Sequence, residues 1–336
     1  MKNGYRMQNR RKFLQQTALA AGAMMTSHSL LGAMLTPEEI KKLTILHTND
    51  VHSRMEPFPM DGGRNQGLGG VAARAELIKE IRKEESDVSG ADVKDIFQGV
   101  EEDRVLLLDA GDIFQGTPYF NLYKGEPEMK AMAAMQYDAA TMGNHDFDGG
   151  LENFATQLQH ANFPILLCNY DFTNTPMEFK SQPYKIFKKG KLKIGVTGLG
   201  IQMKGLVPDN LYGNTQYLNP VENLNRTASK LKKEKGCDMV VCLSHLGYKY
   251  KEDSNRMCDI ILAKESENVD LILGGHTHTF LDAPVTEKNK KGDDVLINQV
   301  GWAGIILGRL DFEFSKIKNN NLSKSHTVVV GKKTSE

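Results

Sequence analysis

Residues 105–117 read VLLLDAGDIFQGT, in which an apolar run is followed by a Gly-Asp pair. The unbroken aliphatic stretch from Val105 to Leu108 predicts a strand that is buried on both faces. Asp112 follows Gly111, where the backbone can turn sharply. Short apolar runs of this kind alternate along the chain with longer segments of helical pattern. This alternation is typical of an α/β fold.

The same pattern predicts the remaining elements. Residues 184–187 and 192–197 predict a β-hairpin, and residues 84–103 are polar and acidic, which predicts a loop insertion. Further strands are expected at residues 43–46, 164–167, 239–243, 271–273, 295–298 and 305–314, and helices at residues 71–81, 128–135 and 221–233.

Composition excludes several classes of partner. The 336 residues contain 42 Lys plus Arg and 42 Asp plus Glu, so no global field attracts nucleic acid or an anionic membrane. An anionic substrate would then be held by local chemistry, such as metal ions. The four cysteines are too scattered for a disulfide framework and are best explained as small buried residues. A Cys237–Cys258 disulfide is the alternative in an oxidising compartment.

The N-terminus has the pattern of a targeting segment. Residues 9–14, NRRKFL, open an Ala-rich, mildly apolar stretch that is too short to span a bilayer comfortably. It resembles a bacterial twin-arginine signal, which implies export of a folded protein to the periplasm; a basic tail is the alternative. We therefore assign residues 1–35 to a signal segment, 41–316 to the folded domain, and 317–336 to a polar C-terminal tail.

Metal-binding residue types follow the predicted strands, one block after another. Asp50 and His52 lie two residues apart, so on an extended segment both side chains would project to the same side and share one cation. Asn144 offers a carbonyl oxygen, while its neighbour His145 points elsewhere and is free to donate a proton. The candidate ligands are two aspartates, one asparagine and four histidines: Asp50, His52, Asp112, Asn144, His245, His276 and His278.

The common position of these blocks is what makes them informative. Ligands bind at the carboxyl ends of strands in open α/β sheets. Each block alone has a structural explanation, such as a turn glycine or a core histidine, but five such explanations at the same topological position are jointly improbable. The donors suit two divalent cations that share one carboxylate, and a set without thiolate permits manganese, zinc, iron, magnesium or calcium. His47, with opposite strand parity, is predicted to be a core histidine.

The order Asp-x-His, Gly-Asp, Gly-Asn-His-Asp, His and Gly-His-x-His resembles the calcineurin-like metallophosphoesterases. Residues 47–52 (HTNDVH), 111–117 (GDIFQGT), 143–148 (GNHDFD), 69–74 (GGVAAR) and 308–311 (GRLD) look like the bacterial 5′-nucleotidase branch. The similarity extends over about residues 41–316, so this range is expected to be the metallophosphoesterase catalytic domain. The resemblance implies a four-layer αββα sandwich with two mixed β-sheets flanked by helices.

The resemblance also implies roles for the residues. Asp50, His52 and His278 would hold one metal, Asn144, His245 and His276 the other, and Asp112 would bridge them. A metal-bridging hydroxide would attack a phosphate monoester, and 5′-nucleotides are the expected substrates. His145 would stabilise the transition state and protonate the leaving oxygen, with Asp148 orienting it. Asp146 would support the site structurally.

One departure from this branch bears on the substrate. Two-domain 5′-nucleotidases carry a C-terminal nucleotidase domain that recognises the nucleotide, and this chain is expected to lack it. Either a separate chain would supply that domain, or the substrates are other esters: cyclic nucleotides, sugar phosphates or a sulfur ester. A non-catalytic binding subunit is disfavoured because no expected ligand or acid is missing.

Overall fold

The computed structural model describes residues 41–87, 104–314 and 321–331. The expected signal segment at residues 1–35 lies outside the described residues, as does most of the loop expected at residues 84–103. Among the residues described, no helix is both long and apolar enough to span a bilayer.

The described residues form many short strands and a smaller number of helices. The strands are β1 (Lys41–Thr48), β2 (Val105–Asp109), β3 (Ala139–Ala140), β4 (Ile165–Leu166), β5 (Tyr170–Asp171), β6 (Ser181–Gln182), β7 (Tyr184–Lys189), β8 (Leu192–Leu199), β9 (Gln216–Tyr217), β10 (Met239–Ser244), β11 (Leu271–Gly274), β12 (Val285–Lys288), β13 (Asp294–Asn298), β14 (Ile306–Phe314) and β15 (Asn321–Val329). The α-helices are α1 (Val71–Asp87), α2 (Pro118–Tyr123), α3 (Glu126–Ala134), α4 (Leu151–Gln157), α5 (Asp209–Tyr212), α6 (Pro220–Ser229) and α7 (Asp259–Glu265). Short 3₁₀ turns occur at His145–Phe147 and Leu158–His160, and a π-helical turn at Lys230–Glu234 continues α6.

Two mixed sheets contain most of these strands, and β5 and β9 pair with each other in a separate two-stranded sheet. The first has the order β15-β14-β1-β2-β3-β4-β6, and the second has the order β12-β13-β11-β10-β8-β7. In the first sheet β1, β2 and β3 run parallel, and in the second β8, β10, β11 and β13 do so. Antiparallel strands such as β14 and β7 make each sheet mixed. The β7–β8 hairpin was predicted from the sequence and is confirmed.

Three apolar clusters show that the sheets and helices stack in four layers. The cluster between the sheets takes alternate residues from each central strand, such as Leu106 and Leu108 of β2 and Val241 and Leu243 of β10. A second cluster packs the other face of the first sheet, including Leu107, against α1, α3 and α4. A third packs the second sheet against α6 and α7. The strands are apolar on both faces because both faces are covered, which confirms the predicted αββα sandwich.

Two boundaries differ from the sequence prediction. Helix α1 continues to Asp87, and Glu84 and Glu85 pair with Arg309 of β14 instead of opening a loop. The prediction of a polar tail at residues 317–336 is wrong for residues 321–329, which form β15 and pair antiparallel with β14. An edge strand held mainly by backbone hydrogen bonds does not need an apolar face. The polar sequence of β15 therefore did not indicate a strand.

Several side chains predicted to be structural are buried. All four cysteines are buried and free, so the Cys237–Cys258 alternative is not formed. His47 is fully buried between the sheets, and its Nε2 lies 2.9 Å from Asn298 Nδ2. Burial lowers the pKa of His47 to about 3, which keeps this core imidazole neutral.

Candidate metal centre

The candidate ligands meet where parallel strands of both sheets end. Asp50 and His52 follow β1, Asp112 follows β2, and Asn144 follows β3 of the first sheet. From the second sheet, His245 follows β10, while His276 and His278 follow β11. The candidate ligands were predicted at the carboxyl edge of a sheet, and they lie at the adjoining edges of two sheets.

The first cluster consists of Asp50, His52 and His278. The Nε2 atoms of His52 and His278 are 3.0 Å apart, and His278 Nε2 is 3.3 Å from Asp50 Oδ1. Donors about 2.1 Å from a shared cation would lie about 3.0 Å apart at right angles and about 3.4 Å apart in a tetrahedron. These spacings therefore suit a divalent cation.

The second cluster consists of Asp112, His245 and His276. His245 Nε2 is 3.1 Å from Asp112 Oδ2. Asn144 joins this cluster through its Oδ1, which lies 2.7 Å from His276 Nδ1. This cluster offers nitrogen and oxygen donors but no thiolate, as predicted.

Asp112 lies between the two clusters. Its Oδ2 is 3.1 Å from His245 Nε2 of the second cluster and 3.8 Å from His52 Nε2 of the first. Its Oδ1 accepts a hydrogen bond of 2.8 Å from the backbone N–H of His145. One carboxylate oxygen thus faces donors of both clusters, while the other is held by the protein.

Hydrogen bonding orients the imidazoles toward the site. His245 Nδ1 lies 2.7 Å from the carbonyl oxygen of Ala110, an arrangement in which Nδ1–H donates and the Nε2 lone pair faces Asp112. This Nε2 is buried, with Asp112 Oδ2 at 3.1 Å. His52 Nδ1 has a similar partner, the Phe114 carbonyl oxygen at 3.3 Å. An imidazole anchored through Nδ1 in this way presents its Nε2 to a metal ion.

The electrostatics of the site also favour bound positive charge. Burial alone would lower the pKa of His245, but the carboxylates of Asp112 and Asp50 outweigh burial and raise that pKa to about 10. The carboxylates therefore stabilise a cation at this position strongly, and a divalent metal would satisfy them in place of a proton.

The backbone carrying the ligands adopts a conformation that non-glycine residues rarely adopt. The residues concerned, all with φ between 50° and 69°, are Asp50, His52, Asp112, His276 and His278. Asp50 and His52 are not on an extended segment, so the predicted conformation is wrong, although both side chains do reach the same cluster. Left-handed conformations concentrated at one location are typical of functional sites.

Asp146 holds the backbone at and after Asp112 in place. Its carboxylate accepts hydrogen bonds from the backbone N–H groups of Asp112, Ile113, Phe114 and Gly143, at 2.8 to 3.1 Å. Burial raises the pKa of Asp146, and these donors oppose that rise. The supporting role expected for Asp146 follows from this geometry.

His145 and Asp148 form a pair beside the clusters. His145 Nδ1 is 2.8 Å from Asp148 Oδ2, and the two side chains are 38% and 30% exposed. The hydrogen bond to Asp148 outweighs burial and raises the pKa of His145. The His145 ring lies 5.3 Å from that of His52, next to the first cluster. An accessible imidazole with a raised pKa stays protonated to a higher pH than usual. It therefore has a proton to donate to a bound substrate.

Trp302 was not singled out by the sequence argument. It is the single tryptophan of the chain, and its ring stacks on His278 with centroids 5.8 Å apart and planes 11° apart. Its loop is tied to the first cluster, since the N–H of Ala303 donates to the Asp50 carbonyl oxygen at 2.7 Å. Only the tertiary structure brings this ring to the site, so no local sequence pattern could have found it.

The four-layer sandwich and the paired clusters of ligand-type side chains are those expected of a calcineurin-like phosphoesterase. The profile of the Calcineurin-like phosphoesterase family matches residues 43–280, and the chain belongs to this family.

Named relatives agree with this assignment. A snake venom 5′-nucleotidase from Crotalus adamanteus is 34% identical over 315 residues, which cover 88% of this chain and 49% of that protein. The structure of a 5′-nucleotidase precursor from Thermus thermophilus matches with a TM-score of 0.72 and 29% identity, over 87% of this chain and 55% of that one. The calcineurin-like phosphoesterase YfkN from Bacillus subtilis matches with a TM-score of 0.67 and 26% identity, over 87% and 91% of the two chains. The chain spans about half the length of the curated relatives it matches.

Proposed function

We propose that the protein is a dinuclear-metal phosphohydrolase that cleaves phosphate monoesters, with 5′-nucleotides as the preferred substrates. The observation that carries this proposal is the position of Asp112 between two donor clusters, with the His145–Asp148 pair alongside. In the first cluster Asp50, His52 and His278 would hold one cation. In the second, Asn144, His245 and His276 would hold the other, and Asp112 would be shared.

The residues of the chain would divide the chemistry as follows. Two divalent cations would supply Lewis-acid charge for the phosphoryl oxygens and activate water as the nucleophile. His145 would donate its proton to the leaving oxygen as the phosphorus–oxygen bond breaks, and Asp148 would hold the imidazole in the required orientation. His145 is well placed for this because its backbone N–H is bonded to Asp112, which ties the acid to the donor clusters.

The names of the relatives support a nucleotide substrate. The Crotalus and Thermus proteins are both named 5′-nucleotidases. A second proposed arrangement is that a separate chain supplies nucleotide recognition. Hydrolysis of cyclic nucleotides, sugar phosphates or a sulfur ester would use the same donors and is the remaining alternative.

Phosphate release from purified protein tests the substrate. The protein is stripped with a chelator, reloaded with single divalent metals, and assayed on AMP and on p-nitrophenyl phosphate. We expect activity to vanish on chelation and to return on metal addition, with efficient turnover of AMP. Turnover of the aryl ester alone would favour a separate recognition chain or another ester, and no phosphate release from either ester would contradict the proposal.

We also propose that the protein is exported to the periplasm by the twin-arginine route. The motif at residues 9–14 supports this, as does the name of the Thermus relative, a 5′-nucleotidase precursor. Replacing both Arg10 and Arg11 with lysine should retain the protein in the cytoplasm, as measured by fractionation and immunoblotting. Unchanged export of the double variant would reassign the segment to the general secretory route.

A further inference from the structure

Phe280 is an exposed aromatic residue at the rim of the metal centre. It lies two residues after His278, and 50% of its surface is exposed. An exposed aromatic ring at this place offers a flat apolar face that the ring of a bound ligand could cover.

The backbone holds the Phe280 ring in a fixed place. Phe280 and Val300 form an antiparallel bridge, and the N–H of Gly301 donates to the Thr279 carbonyl oxygen at 2.9 Å. The ring lies directly over Gly301, where a Cβ atom would overlap it. A glycine with φ of 75° at this position therefore allows the ring to lie against the main chain. One side of the ring is covered by backbone, and the exposed half faces solvent.

The segment against which the Phe280 ring lies continues into the first cluster. Gly301 precedes Trp302, whose ring stacks on His278. The His52 ring is 5.0 Å from His278 and 5.3 Å from His145. The rim that carries Phe280 thus adjoins the first cluster, and so does His145, the proposed proton donor. A leaving group released at His145 would therefore depart beside this rim.

We propose that Phe280 is a specificity-determining residue that stacks against an aromatic ring in the leaving group of the substrate. The ligand chemistry is a planar ring, as in a nucleobase or an aryl alcohol, and offset stacking on the exposed half of the phenyl ring would hold it. The inference rests on the proposed phosphomonoesterase activity, but it does not require that the ring be a nucleobase.

The experiment compares substrates that differ by the ring alone. AMP and ribose 5-phosphate share the same phosphoryl group and sugar, and p-nitrophenyl phosphate adds an aryl ring without a sugar. In the metal-loaded protein, Phe280→Ala should lower kcat/KM for AMP by about 3- to 10-fold, mainly through KM, with the same trend for the aryl ester. The value for ribose 5-phosphate should stay unchanged. Phe280→Tyr, which keeps the ring, should retain activity on AMP.

A matched control uses a phenyl ring elsewhere. Phe179 is 96% exposed in the loop before β6, and Phe179→Ala should leave all three substrates unaffected. Equal losses on AMP and ribose 5-phosphate, or no loss on either ring-bearing ester, would overturn the stacking role.

Failure of the proposed function is distinguishable from failure of stacking. If the unsubstituted protein hydrolyses none of the three esters, the phosphomonoesterase proposal fails before any variant is compared. Calorimetric binding of AMP and ribose 5-phosphate to metal-loaded protein then tests stacking directly. If Phe280→Ala binds AMP more weakly but binds ribose 5-phosphate as before, the stacking role is supported. Unchanged binding of AMP contradicts it.

Discussion

Replacing Asp112 with alanine should remove bound metal from both clusters and abolish turnover. Its Oδ2 is 3.1 Å from His245 Nε2 of the second cluster and 3.8 Å from His52 Nε2 of the first. Asp50 Oδ1 approaches the second cluster less closely, at 4.0 Å from His245 Nε2. Without Asp112, each cluster loses an anionic donor, and the two cations would repel each other without a shared negative charge. The loss of turnover should be on the order of 1000-fold or more, since metal ions supply several kcal/mol of charge stabilisation.

Two measurements follow the metals directly. Elemental analysis of Asp112→Ala should find far less bound metal than in the unsubstituted protein. Emission from Trp302, which stacks on His278, should respond when metal is titrated into the unsubstituted protein. That response should be weak or missing in Asp112→Ala.

Controls separate metal loss from unfolding. Thermal unfolding of Asp112→Ala is compared with that of chelated, unsubstituted protein, because both should lack metal. Asp112→Asn keeps the shape of the side chain and its acceptor oxygen for the His145 N–H, but it lacks the charge. We expect weakened metal binding in this variant as well. Normal metal content in Asp112→Ala would refute the bridging role.

The central strands were predictable because strands that are buried on both faces have continuous apolar sequences. The apolar runs of β2, β10 and β11 are covered on both faces, which leaves no polar residue within them. Edge strand β15 could not be predicted in this way, because its side chains are largely solvated. The division of strands between two sheets also depends on long-range pairing, such as β1 with β14, which local pattern does not encode.

The candidate ligands were predictable because each follows a strand. Their backbone conformations were not, since left-handed residues such as His52 and His278 are stabilised by contacts from distant segments. The His52 backbone N–H, for example, donates to the carbonyl oxygen of Asp112 at 3.1 Å.

The motif at residues 308–311 is accounted for by packing. Gly308 leaves room for the buried His47 ring, and Arg309 pairs with Asp311 and with helix α1. A sequence motif can thus be specific to a family while its residues pack and pair within the sheet.

Replacing His145 with alanine should leave metal binding intact and lower turnover of AMP by on the order of 100-fold or more. The contact of His145 with Asp112 is made by its backbone N–H, which alanine retains. The side chain, by contrast, is held by Asp148 and contributes to neither donor cluster. The substitution should therefore separate proton donation from metal binding.

The leaving group provides the decisive comparison. p-Nitrophenolate is a weak base and leaves without needing a proton, whereas the 5′-oxygen of AMP is strongly basic. His145→Ala should therefore reduce AMP hydrolysis far more than hydrolysis of the aryl ester, at equal metal content by elemental analysis. His326→Ala is the control, since His326 is a half-exposed histidine on the edge strand, paired only weakly with Asp311 at 3.9 Å, and its loss should change neither rate. Equal losses on both esters would show that His145 stabilises transition-state charge without donating a proton, and unchanged rates on both would make it a structural residue.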